Sequence, residues 1–185
     1  MKKYFILYKP FLLFLGKFLL TYLLLTLVYQ SYLGQFDVNK NETDSFTKLV
    51  ARQTESVMLF FDGDVKTKPN TKEPAVNLYY NQKPMARIIE GCNALSVIIL
   101  FVSFIIAFSG KIKPTILYII LGSILIHILN VFRIAILCAL MYYYPEHQHF
   151  LHGVVFPLFI YGVVFVLWII WVNKFSKYGK KTVQS

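Results

Sequence analysis

The chain has 185 residues, of which 57% are hydrophobic and 15% are charged, and its formal net charge is +10. The apolar residues form long runs, which are typical of membrane-spanning helices and exclude an ordinary soluble domain. The basic excess lies in acid-free segments beside those runs, whereas residues 34–90 carry eight basic and eight acidic side chains. The charge therefore indicates membrane topology and not a nucleic-acid-binding surface.

Four apolar runs predict an all-α membrane protein, a single domain over residues 1–185 with about four transmembrane helices. The predicted spans are residues 11–32, 90–108, 114–144 and 151–172. The first run is long for the apolar part of a signal peptide, and no small-residue cleavage site follows it, so a retained span is expected. Because basic flanks stay on the cytoplasmic side, both termini are predicted to be cytoplasmic and residues 33–89 extracytoplasmic.

The long extracytoplasmic loop is predicted to contain an amphipathic helix and a short β-hairpin. A helix on the membrane surface is indicated by apolar residues near helical spacing after the candidate cap Thr43-Asp44, namely Phe46, Leu49, Val50, Val57 and Phe60. Ala75–Tyr80 and Met85–Ile89 are β-prone runs separated by four turn-forming residues. The second of these runs leads directly into Gly91-Cys92.

Residues able to do chemistry lie at the external ends of three predicted spans. Arg133 is near the outer boundary of the third span, about 28 Å from its start at 1.5 Å per residue. An arginine at the centre of a span costs roughly 2.5–3.5 kcal/mol, so it is expected to face protein or water. The alternative is that it reaches the outer lipid headgroups. Asn130, three residues earlier, shares its helical face.

The two cysteines have different expected roles. If a helix starts at Cys92, the positive end of its dipole favours the thiolate there; the alternative is an inert buried cysteine. Cys138 is about 140° around the helix from Arg133 and is assigned to packing. A disulfide between Cys92 and Cys138 is the remaining alternative.

Three histidines cluster before or at the start of the fourth span. His149 and His152 share a helical face, and either could exchange a proton with Cys92, whereas His147 would point elsewhere. A zinc site is the weaker interpretation because only Glu146 is near them, so no metal or other cofactor is expected. His127, deeper in the third span, is predicted to be a core histidine.

In three segments the sequence resembles the exosortase/archaeosortase family of membrane-embedded cysteine transpeptidases. The matching segments are Glu90-Gly91-Cys92-Asn93-Ala94-Leu95, Asn130-Val131-Phe132-Arg133 and His149-Phe150-Leu151-His152-Gly153. The resemblance covers about residues 75–172, and the Gly-Cys-Asn-Ala-Leu form and short length resemble the exosortase F type. Many members have about eight spans, so this chain resembles their catalytic core.

The resemblance implies a nucleophilic Cys92, a stabilising Arg133 and a proton-carrying histidine, with Asn93 and Asn130 in support. The family's histidine commonly stands four residues before a glycine, which selects His149, while His152 remains the alternative.

The implied activity is cleavage of C-terminal sorting signals through a thioester, at the outer face of the bacterial inner membrane. The implied partners are the lipid bilayer and secreted proteins with a short motif, an apolar span and a basic tail. The predicted hairpin could pair with the extended motif by strand addition.

Two other functions are compatible with the sequence. A non-enzymatic scaffold or assembly partner in envelope protein export would use Arg133 to pair with a headgroup or a carboxylate. A small transporter would have more polar residues at mid-membrane depth than His127 and Asn130.

Overall fold

The computed structural model describes residues 2–37, 40–61, 63–108 and 110–175, with side chains from residue 8 onward. The chain is mostly helical with one small sheet. The elements in order are α1 (Lys2–Leu33), α2 (Ser45–Phe60), β1 (Val65–Pro69), β2 (Ala75–Tyr80), β3 (Lys83–Ile89), α3 (Leu95–Ala107), α4 (Ile112–Tyr143) and a final helix α5 (Pro145–Phe175).

Three helices of the described residues are long and apolar enough to cross a membrane: Tyr8–Leu33 of α1, α4 and α5, with 26, 32 and 31 residues. Each exceeds the roughly 20 residues that a bilayer requires, so the predicted multi-pass membrane architecture is confirmed. The predicted span 90–108 differs, because regular helix there covers only Leu95–Ala107, 13 residues or about 20 Å. The structure thus provides three long helices and one short apolar helix.

The short helix α3 is enclosed by α1, α4 and α5. Its side chains Phe101 and Ile105 form a buried cluster with Ile126 of α4 and Ile160 of α5. Gly122 makes this close approach possible, because a Cβ atom there would lie 2.4 Å from Cζ of Phe101. Helix α3 is therefore packed closely against α4 and α5, although it is too short to span the bilayer as a regular helix.

Helix α2 packs on the sheet and on α4. It begins after Asp44, whose carboxylate accepts a hydrogen bond from the Thr47 backbone N–H at 2.8 Å, an N-cap that satisfies one free donor. Its buried residues Val50 and Ala51 contact the sheet and α4. Phe60, assigned to the same apolar face by the sequence pattern, is instead 82% exposed.

The sheet has three antiparallel strands in the order β1-β2-β3. Asn81 and Gln82 form the two-residue turn between β2 and β3, with φ of 48° and 63°, as a type I′ hairpin requires. The sequence predicted this hairpin with a longer turn and missed β1. That strand, Val-Lys-Thr-Lys-Pro, has one buried apolar residue, Val65, and therefore too little alternation to be recognised.

Candidate active site

A cavity of about 400 Å³ lies between β3, the segment after it, α4 and the first turns of α5. Its lining includes Cys92, Arg133 and His152, together with Gln148 and residues 84–88 of β3. Three of the predicted site residues therefore meet around one space, although they come from distant parts of the sequence. His149 is not part of this lining.

Cys92 precedes α3 instead of starting it. It ends a 3₁₀ turn, Glu90–Cys92, and α3 begins three residues later, after Ala94 in the left-handed conformation with φ of 64°. The condition for a dipole effect of α3 on the thiol, a helix that starts at Cys92, is therefore not met. The thiol is free and half-buried, and it packs beside the cluster that contains Ile88 and Val131.

The backbone of Cys92 is held by α4. Asn130 Nδ2 donates a hydrogen bond to the Cys92 carbonyl oxygen at 2.8 Å, and the Asn130 side chain is 1% exposed. Arg133 follows one helical turn later, so both residues lie on the same side of α4. Asn130 thereby couples the position of the thiol to that of the guanidinium.

A second network holds the same segment from the opposite side. The buried Asn93 donates to Tyr29 Oη at 3.2 Å and to Thr47 Oγ1 at 3.1 Å, and its Oδ1 accepts from the Leu95 backbone N–H. The Tyr29 hydroxyl in turn donates to the Glu90 carboxylate. Asn93 thus joins α1, α2 and the start of α3. Sequence reasoning missed Tyr29, Thr47 and Glu90, because nothing in their local pattern marks a contact 46 to 64 residues away.

Arg133 is a half-buried cation without a full set of protein partners. Its Nε atom is buried and has no hydrogen-bond partner among the described residues. The Cys92 thiol and the Tyr161 phenol lie in its neighbourhood, and the guanidinium would stabilise the anionic form of either group. A buried donor left unpaired costs free energy. The arrangement is therefore suited to an anion that forms or arrives beside the guanidinium.

The final helix brings His152 to the cavity through a local change of helix type. Residues Leu151–Val155 form a π-helical turn, in which one extra residue rotates the register. Pro157 follows, and its missing N–H cannot bond to the Gly153 carbonyl. Gln148, four residues before His152, shares its face and lines the cavity as well, a spacing that was visible in the sequence.

The other candidates lie away from this cavity. Among the described residues, no group of three potential ligands could hold a metal ion. His127 Nε2 is 2.7 Å from Gln53 Oε1, and His147 Nδ1 is 3.8 Å from Glu146. Cys138 is a free thiol that packs beside Leu78 and Ala135, so the alternative disulfide is not formed.

The chain was compared with known protein families. The family model described as transmembrane exosortase (Exosortase_EpsH) matches residues 5–172, a range that includes every residue of the cavity. No curated protein and no solved structure matches the chain significantly.

Proposed function

The chain belongs to the transmembrane exosortase family, and we propose that it cleaves the C-terminal sorting signals of secreted proteins through a thioester at Cys92. The observation that carries this proposal is the cavity shared by Cys92, Arg133 and His152. A nucleophile, a cation and a proton carrier are the groups that covalent peptide cleavage requires. The Gly91–Leu95 sequence supports assignment to the exosortase F type.

The proposed reaction has two steps. The Cys92 thiolate attacks the scissile carbonyl carbon, the C–N bond breaks, and the imidazolium of His152 gives its proton to the leaving amine. Arg133 stabilises the negative charge that develops on the carbonyl oxygen, and its unpaired Nε donor is available for that purpose. Water, or an amine or hydroxyl group of an envelope component, then attacks the thioester and releases Cys92.

His152 is preferred over His149 because it lines the cavity with Cys92. The resemblance alone favoured His149, from its distance to the following glycine. The position of His152 in the cavity, and not its distance in sequence from Gly153, is the basis of this choice.

We also propose that the site lies on the periplasmic side of the bacterial inner membrane, with both termini cytoplasmic. Lys111 and Lys113 flank the start of α4, whereas Asn130, which holds Cys92, is 18 residues or about 27 Å further along that helix. Basic residues favour the cytoplasmic side, which puts the thiol near the opposite surface. α3 then serves as a short fourth crossing, while the tail beyond residue 175 is outside the described residues.

Processing of a reporter in cells tests the proposal. The reporter is a secreted domain followed by a sorting segment, composed of a short motif, an apolar span and a basic tail, from the same genome. We expect Cys92→Ala to abolish processing, and Cys138→Ala, the matched control, to retain it. Arg133→Ala should reduce the rate about 10²–10³-fold, the usual effect of losing one oxyanion donor.

A second pair of variants separates the histidines. His152→Ala should reduce processing about 10²–10⁴-fold, as for loss of a general acid, whereas His149→Ala should remain within about twofold of wild type. Unchanged processing in a stably expressed Cys92→Ala protein would remove the enzyme interpretation and favour the non-enzymatic scaffold.

A further inference from the structure

We propose that the free edge of β3 binds the main chain of the substrate, so that the extended segment beside the scissile bond adds a fourth strand to the sheet. This inference rests on the proposed function. Five consecutive residues of β3, 84–88, line the cavity. Successive side chains of a strand point to opposite faces, so a cavity on one face would be lined by every second residue. A cavity lined by consecutive residues therefore runs along the edge of the strand.

Backbone hydrogen bonds show which way β2 directs its groups. Asn81 N–H donates to the Asp64 carbonyl at 2.8 Å, and Asn70 N–H donates to the Ala75 carbonyl at 2.9 Å. Both bonds point to the β1 side. Because strand backbone groups alternate in direction, odd-numbered residues of β2 face β1 and even-numbered residues face β3.

The register then identifies the outward-facing residues of β3. Arg87 is opposite Asn77, and Ile89 is opposite Ala75, both odd-numbered positions that face β1. The backbone N–H and C=O groups of Arg87 and Ile89 therefore point away from β2. The Ile89 carbonyl closes the 3₁₀ turn Glu90–Cys92. Among the described residues, the N–H and C=O of Arg87 and the N–H of Ile89 are therefore the groups left to pair with an added strand.

The other edge of the sheet is closed. Thr67 is an outward-facing residue of β1, and its backbone N–H donates to Glu55 Oε1 at 3.2 Å while its hydroxyl donates to Oε2 at 2.6 Å. Pro69, the next outward-facing residue, has no N–H to offer. Proteins protect exposed sheet edges in these ways against unwanted pairing. Among the described strands, the edge of β3 beside the cavity is the one without such protection.

An added strand would lead to the nucleophile. Ile89 is three residues before Cys92, about 6 Å along the 3₁₀ turn that joins them. Beside Gly91 a Cβ atom would meet nothing within 4 Å, so the path is open. The ligand at this edge is an extended peptide that is bound through its main chain, as in other strand-addition complexes. The walls of the cavity beside β3 set the preference for its side chains.

Hydrogen exchange tests the open edge without relying on catalysis. In the full chain in nanodiscs, the amides of Arg87 and Ile89 should exchange fast while those of Ala86 and Ile88 are protected. Adding the sorting-segment reporter to the Cys92→Ala variant should protect Arg87 and Ile89. Slow exchange of both amides before the reporter is added, or no change after it, would overturn the inference.

Processing kinetics provide the second arm, with a reporter whose cleavage requires Cys92. Arg87→Pro removes the outward N–H and the side chain, and Arg87→Ala, the matched control, removes only the side chain. We expect Arg87→Pro to lower processing at limiting substrate about threefold to tenfold below Arg87→Ala, the effect of one net hydrogen bond, through KM more than kcat. Equal rates for the two variants would reject substrate binding at the edge of β3 without contradicting the proposed role of Cys92. Cleavage that does not depend on Cys92 would reject the proposed function itself.

Discussion

Replacing Asn130 by alanine should both destabilise the protein and displace its nucleophile. The Asn130 amide is the hydrogen-bond partner that the described residues provide for the Cys92 carbonyl, and it is buried. Leaving a buried acceptor unpaired costs about 1–3 kcal/mol. For a chain of this length that corresponds to a decrease of roughly 2–12 °C in the unfolding midpoint.

The effect on catalysis should exceed the effect on stability. A displacement of about 1 Å at a reacting atom can cost about 10²-fold in rate, and Asn130 fixes the Cys92 backbone relative to Arg133. We would measure the thermal midpoint of purified protein in nanodiscs and the rate of reporter processing per folded molecule. Ser103→Ala is the matched control, because the buried Ser103 hydroxyl donates only to the Ile99 carbonyl of its own helix.

Two outcomes would contradict this reasoning. If Asn130→Ala and Ser103→Ala had equal midpoints, the bond to Cys92 would contribute no net stability. If the midpoint fell but the rate per folded molecule did not change, Asn130 would support the fold without positioning the thiol.

Two further predictions follow from burial and close packing. A membrane-impermeant maleimide should modify Cys92 in the native protein. Cys138, which is 0% exposed, should react only after unfolding. Mass spectrometry of native and denatured samples measures both, and modification of Cys138 in the native sample would contradict its burial. Gly122→Ala should destabilise the protein by about 1–3 kcal/mol through overpacking against Phe101, whereas Gly16→Ala, whose Cβ would meet nothing within 4 Å, should leave the unfolding midpoint unchanged or raised.

The long helices were predictable because their signal is local. Continuous apolar runs specify α1, α4 and α5. The structure extends five of their six predicted ends, by one to nine residues, and ends α4 one residue earlier. The start of α3 was not predictable in the same way. It lies at Leu95 and not at residue 90; Asn93 Oδ1 accepts a hydrogen bond from the Leu95 N–H, and Asn93 is itself held by α1 and α2.

The site shows the same division between local and long-range information. Cys92 and Arg133 were recognisable from residue type and depth along their predicted spans. His152 lines the cavity and His149 does not, whereas the sequence left both open. The π-helical turn at Leu151–Val155 likewise leaves no mark in hydrophobic periodicity. The partners Tyr29 and Thr47 likewise became visible only when distant elements were brought together.

The length of α4 explains how one helix serves both the membrane and the site. Its 32 residues extend about 48 Å, whereas the hydrocarbon core is about 30 Å thick. The surplus of about 18 Å, toward Tyr143, gives α2 and the sheet a surface to pack on, through Ile134 and Cys138. In the proposed topology, Arg133 lies near the outer end of the part of α4 that crosses the hydrocarbon core. A guanidinium there avoids the full cost of the bilayer centre, yet it remains sufficiently shielded from water to act strongly on a neighbouring anion. If α4 ended soon after Arg133, the sheet would have no helix surface to pack on. The cavity beside Arg133 would then lack its opposite wall.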